Sequence, residues 1–144
     1  MKKKDIKILL VDDEQDILEI VGYNLSQEGY QIVTASNGKE AIAKAKKEHP
    51  QLIIMDVMMP EMDGMEACEN IRKIPELQDT IITFLTARSE DYSQVAGFDA
   101  GADDYIAKPI KPKVLVSKVQ ALLRRLKGVE GVSSTTTLTV GNIE

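Results

Sequence analysis

Apolar runs recur along the chain at residues 6–11 (IKILLV), 31–35 (QIVTA), 52–55 (LIIM), 81–85 (IITFL) and 105–107 (YIA). Each is short, rich in branched side chains and nearly continuous, the pattern of a strand buried on both faces of a parallel sheet. Between the runs the apolar spacing becomes helical. Ile17, Ile20, Val21 and Leu25 fall on one stripe and Gly29 follows as a stop. A second helix begins near Asn37 and Gly38, presents Ala41, Ile42 and Ala45, and ends at His49 and Pro50. A third runs from about Gly64 to Ile74 before Pro75, and a fourth from about Ser89 to Ala100 before Gly101. The last starts near Pro112 and aligns Leu115, Val119, Leu122 and Leu126. Five strands alternating with five helices predict an α/β fold: a doubly wound, five-stranded parallel sheet with right-handed crossovers and helices on both faces.

Composition changes after Leu126. KGVEGVSSTTT is small, polar and glycine-containing, and reads as a linker, whereas TLTVGNIE alternates like the first strand of another unit. The expected division is one domain over 1–127, a linker over 128–136 and the start of a further domain over 137–144. Charge is uneven. Residues 1–107 carry 21 acids and 11 bases, while residues 108–127 carry seven bases and no acid, which predicts an acidic functional side and a basic last helix. The single cysteine, Cys68, excludes an internal disulfide. No apolar run approaches the ~20 residues of a membrane span, and MKKKD lacks the apolar region of a signal peptide, so a cytoplasmic protein without membrane contact is expected.

The informative polar residues stand where strands should end: Asp12 and Asp13 after the first run, Asp56 after the third, Thr86 after the fourth and Lys108 after the fifth. In open α/β sheets ligands bind outside the carboxyl ends of the strands, so these side chains are expected in one cleft. Three carboxylates so placed repel one another and favour a divalent cation. Magnesium suits a compact site with few protein oxygens better than calcium does, and zinc lacks the nitrogen and sulfur ligands it prefers. Beside such an ion, Asp56 could act as a covalent nucleophile toward a phosphoryl group. Taken alone, the pair Asp12 and Asp13 would read as helix caps, Thr86 as a helix-cap neighbour and Lys108 as a surface lysine; their joint placement carries the site.

In this order, these residues resemble the receiver domain of bacterial two-component response regulators, over about residues 5–127, with its flavodoxin-like (CheY-like) fold. The resemblance implies that Asp56 is the phosphoacceptor for a sensor histidine kinase and that Asp13 binds Mg2+ directly. It places Asp12 beside the metal and makes the backbone carbonyl of Met58 a further ligand. Thr86 would hydrogen-bond the phosphoryl group and Lys108 would pair with its charge. MMPEMDG resembles the family's loop after the third strand, and Lys108-Pro109 its Lys-Pro pair, commonly joined by a cis bond. Tyr105 occupies the position of the aromatic that changes rotamer as Thr86 moves.

GADDYIAKP and a helix ending LLRR resemble the OmpR/PhoB class, whose active receivers form homodimers through the fourth helix, fifth strand and fifth helix. Asp103 and Asp104 would then meet Lys118 and Arg125 of a twin. Gln94, Val114 and Ile110 depart from that pattern, and one expected intermolecular salt bridge is lost. TLTVGNIE resembles the opening of a winged-helix domain that would contact DNA and regulate transcription. Such a chain would catalyse only its own phosphorylation and dephosphorylation. Two other readings are a magnesium-dependent phosphohydrolase using Asp56, which lacks an evident substrate pocket, and a flavodoxin-like electron carrier, for which aromatic residues are scarce.

Overall fold

A computed structural model describes residues 2–86 and 100–126. The fourth helix expected from about Ser89, the linker over 128–136 and the segment 137–144 lie outside the described residues. The strands are β1 (Lys7–Val11), β2 (Gln31–Ala35), β3 (Leu52–Asp56), β4 (Ile81–Thr86) and β5 (Asp104–Ala107). All neighbours are parallel and the sheet order is β2-β1-β3-β4-β5. The helices are α1 (Gln15–Gln27), α2 (Gly38–Glu48), α3 (Gly64–Arg72) and a last helix, Pro112–Leu123. The third helix is shorter than its apolar pattern suggested, because Pro75 opens a separate 3-10 turn at Pro75–Leu77.

Alternation along the central strands divides the core in two. Ile8 and Leu10 of β1, Leu52 and Ile54 of β3, and Ile81 and Leu85 of β4 join Leu18, Val21 and Leu25 of α1 and Leu115, Val119 and Leu122 of the last helix. Leu9 and Val11, Ile53 and Met55, and Ile82 and Phe84 face the other way, onto Ala41 and Ala45 of α2 and Ala67, Cys68 and Ile71 of α3. Both faces of these strands are covered, which is why their sequences are continuous rather than alternating runs. β2 is an edge strand whose Gln31 and Thr34 are exposed. Of the first helical stripe, Ile20 does not reach the core: it is 46% exposed, and Leu18 takes the buried place.

The chain leaves β1 toward β2, then returns past β1 to β3 and continues to β4 and β5. Crossovers of one hand that reverse direction must change face, so α1 and α2 lie on opposite sides and the loops beyond β1 and β3 diverge. Val11 is in register with Met55. The residues that follow, Asp12 and Asp56, therefore emerge side by side.

Because Ile53 and Ile54 point into different halves of the core, each truncation to alanine is expected to cost about 2–5 kcal/mol. Thr34→Ala on the exposed edge should stay within about 0.5 kcal/mol. Urea denaturation followed by circular dichroism checks this. A large loss for only one isoleucine would contradict a sheet packed on both faces.

Candidate functional site

Asp12 is the first residue beyond β1, and its backbone N–H donates to the Ala35 carbonyl (3.1 Å). Its Oδ1 accepts from the Glu14 N–H (2.9 Å), forming the turn that leads into α1. Asp56 ends β3. Both carboxylates are deeply buried, Asp12 being 1% and Asp56 5% exposed, while Asp13 points outward. Carboxylate oxygens of Asp12, Asp13 and Asp56 all lie within 4.8 Å of one another.

Lys108 reaches this cluster from the far edge of the sheet. Its backbone N–H donates to the Thr86 carbonyl (2.6 Å), continuing the β4–β5 ladder past Ala107, and its peptide bond to Pro109 is cis. Its Nζ lies 3.3 Å from Asp12 Oδ2, 3.5 Å from Glu14 Oε2 and 3.8 Å from Asp56 Oδ1. Thr86 ends β4, one residue beyond the Leu85 that pairs with Asp56, and is buried. Sheet register alone thus brings together the strand ends that carry Asp12, Asp56, Thr86 and Lys108.

The loop MMPEMDG closes tightly over Asp56. The Met58 N–H donates to Asp56 Oδ1 (3.3 Å), and the Gly64 N–H donates to the Val57 carbonyl (2.9 Å). A side chain at Gly64 would collide with the carbonyl oxygen of Asp56, so only glycine permits this closure. Asp63 caps α3 by accepting from the Glu66 N–H (2.9 Å). Met58 itself is 77% exposed.

Electrostatically the site is short of positive charge. Burial, together with the neighbouring Asp12 carboxylate, pushes the Asp56 carboxyl up to about 6, against the lowering effect of Lys108 and the Met58 N–H. Burial also raises Asp12. For Lys108 burial opposes the charge, but Asp56, Asp12 and Glu14 outweigh it and its pKa is raised. One ammonium faces four acids. Oδ2 of Asp12 is buried and takes no aligned hydrogen bond, although Lys108 stands 3.3 Å away. A cluster of hard oxygen donors facing a single ammonium fits a divalent cation of the magnesium and calcium class.

The remaining expected residues lie elsewhere. Tyr105 stands beside Phe84 in the sheet, two positions before Ala107, with the Lys118 ammonium 5.1 Å from its ring centre. Asp103 is held within the chain: its Oδ2 accepts from Arg72 Nη2 (2.8 Å) and the Ile82 N–H (2.9 Å), and its Oδ1 lies 4.0 Å from Arg125. Asp104 Oδ2 lies 3.6 Å from Lys118. Sequence reasoning missed two well-connected residues, Glu14 in this site and Arg72 at the opposite end of the sheet. Glu14 adjoins the acidic pair, and the DDE run was the available signal. Arg72, whose guanidinium also donates to the carbonyls of Gly101 (2.8 Å), Thr80 (2.7 Å) and Gln78 (3.3 Å), has no local signature because backbone carbonyls leave no mark in the sequence and Asp103 lies far along the chain.

Residues 8–120 match the family described as the response regulator receiver domain. The chain belongs to that family. Its receiver domain is 46% identical over 119 residues to the alkaline phosphatase synthesis transcriptional regulatory protein PhoP of Bacillus subtilis, covering 83% of this chain and 49% of PhoP. It is 48% identical over 121 residues to the transcriptional regulatory protein ResD of the same organism, covering 84% and 49%. The chain spans about half the length of the curated relatives it matches. Among solved structures, the receiver resembles Vibrio cholerae chemotaxis protein CheY4 with a TM-score of 0.80 and 36% identity, over 82% of this chain and 98% of that one. It also resembles the BeF3-activated DrrB receiver domain, with a TM-score of 0.74 and 35% identity over 83% and 98%. Family membership sets aside the electron-carrier reading. Among the described residues no helix is long and apolar enough to cross a membrane.

The raised Asp56 pKa has a definite sign in stability. The ordinary carboxyl value is 3.8, so the unfolded chain ionises first while the folded receiver retains its proton up to about pH 6. Stability from this group is therefore present at low pH and lost as pH rises through about 6, on the order of 3 kcal/mol in metal-free protein. Relative to wild type, Asp56→Asn should gain stability between pH 4 and pH 7 in urea titrations with EDTA, and added Mg2+ should shrink the difference. A pH-independent difference would contradict the crowded-carboxylate picture.

Proposed function

We propose that this receiver is the phosphoaspartate switch of a two-component response regulator, with Asp56 accepting the phosphoryl group of a sensor histidine kinase. The observation that carries the reading is the placement of Asp56 at the end of β3, buried beside Asp12 and Asp13 with Lys108 3.8 Å away. Asp13, Asp56 and the Met58 carbonyl would hold Mg2+, with Asp12 beside it. That ion supplies charge neutralisation between the carboxylates and an incoming anionic phosphoryl group. An Asp56 oxygen attacks phosphorus, the phosphorus–nitrogen bond of the donor phosphohistidine breaks, and the imidazole leaves with the electron pair. Lys108 is already within reach of the charge that arrives, and Thr86 supplies a hydroxyl at the neighbouring strand end. Tyr105 follows Thr86 as the rotamer switch. Dephosphorylation returns the group to water, so the receiver turns over no external metabolic substrate.

PhoP and ResD are transcriptional regulatory proteins, which supports an output in transcription for this chain. The segment 137–144 then opens a DNA-binding winged-helix domain, reached through a linker over 128–136, and the protein works in the cytoplasm. Activation would pair two receivers through the fourth helix, β5 and the last helix. Asp103 and Asp104 already have partners in Arg72, Arg125 and Lys118 of their own chain, so each intermolecular pair replaces an existing one and contributes little net energy. Val114, 50% exposed on the last helix, offers apolar area there instead of the family's usual glutamate.

Intact-mass measurement after acetyl phosphate treatment is expected to show one phosphoryl group per chain with Mg2+, much less without it, and none in Asp56→Ala. Phosphorylation that survives Asp56→Ala would overturn the assignment. Steady phosphate release from many small phosphoesters would favour a phosphohydrolase. Sedimentation equilibrium with beryllium fluoride should show an enriched dimer; a persistent monomer at high concentration would reject receiver pairing.

A further inference from the structure

The loop that follows Asp56 is tied down at its ends. The Met58 N–H bonds the Asp56 carboxylate, and Gly64 closes onto Val57 and the Asp56 backbone. Between them Glu61 has φ +68°, in the left-handed region that ordinary residues seldom adopt, and the Met62 N–H donates to the Pro60 carbonyl (2.8 Å). The outer flank of this strained turn rests on Gly38, the first residue of α2. A Cβ placed on Gly38 would sit 2.8 Å from the Met62 carbonyl oxygen, 2.8 Å from its Cγ and 3.0 Å from its Cβ.

Nothing else about Gly38 calls for glycine. It is not among the residues with positive φ, and at an ordinary helical position alanine is favoured by roughly 1 kcal/mol. The α2 side of the contact is rigid. The Asn37 side chain accepts from the Glu40 N–H (2.8 Å), Glu40 Oε1 accepts from the Ser36 N–H (2.8 Å) and hydroxyl (2.9 Å), and Ala41 and Ala45 are locked in the core. The softer partner is the loop, where the strain at Glu61 is already held.

We propose that Gly38 is a positioning residue for the phosphoacceptor site: its missing side chain lets the Met62 backbone seat against α2 and so fixes the 57–63 loop on Asp56. A methyl group there would displace the Met62 carbonyl, and the loop, tethered at Asp56, transmits that shift to Met58 and the Asp56 carboxylate. The proposal rests on the reading of this cluster as a magnesium and phosphoryl site.

The test compares Gly38→Ala with Lys39→Ala, which alters an exposed neighbour in the same helical turn. Gly38→Ala is expected to shift the amide resonances of Val57 to Gly64 in metal-free protein. Calorimetry should show about tenfold weaker Mg2+ binding, as when an outer support of a metal site is lost, and acetyl phosphate labelling should slow. Lys39→Ala should leave all three unchanged. Met62→Gly loosens the same contact from the loop side and should weaken Mg2+ binding in the same direction, which keeps the test decisive if Gly38→Ala does not fold. A variant at Gly38 that is less stable but keeps its loop resonances and Mg2+ affinity would show that α2 yields instead, and would overturn the proposal. If wild type takes up neither Mg2+ nor phosphate, the proposed function fails, while the metal-free resonances still decide the role of Gly38.

Discussion

Mutual repulsion among Asp12, Asp13 and Asp56 is the constraint around which this domain is arranged. Two unit charges about 4 Å apart cost roughly 4 kcal/mol at an effective dielectric near 20, and here a third shares the space with one lysine in compensation. The side chains cannot drift apart, because two of them sit at the ends of adjacent strands whose register is fixed by apolar packing on both faces. Hydrophobic burial across the sheet thus sustains an electrostatic arrangement that loose chain ends would relax.

Much of this was legible in the amino-acid order. Continuous apolar runs appear only where both faces of a strand are covered, so β1, β3 and β4 announced themselves, and the polar residue that interrupts each run marked the edge of the cleft. Helix starts were equally readable where a side chain does the capping, as at Asn37 and Asp63. Periodicity was less decisive for α1, where Leu18 and Ile20 compete for one stripe and only packing against the sheet selects Leu18.

What sequence could not supply was contact between distant segments. Glu14 joins the lysine because the Asp12 turn folds the chain back, and Arg72 meets its partners in two segments, one before β4 and one before β5. Gly38 looks like an unremarkable helix start until the loop beyond Asp56 is seen lying against it. Nor did the order of residues show that Asp103 and Asp104 have counterions within their own chain, in Arg72, Arg125 and Lys118.

The guanidinium of Arg72 joins the end of α3 to the backbone at Gln78, Thr80 and Gly101 and to the carboxylate of Asp103. All of these partners precede β4 or β5, at the end of the sheet opposite Asp56. One side chain thus ties the entries of β4 and β5 to the end of α3, so the seating of β5 at the sheet edge does not depend on its four backbone pairings alone.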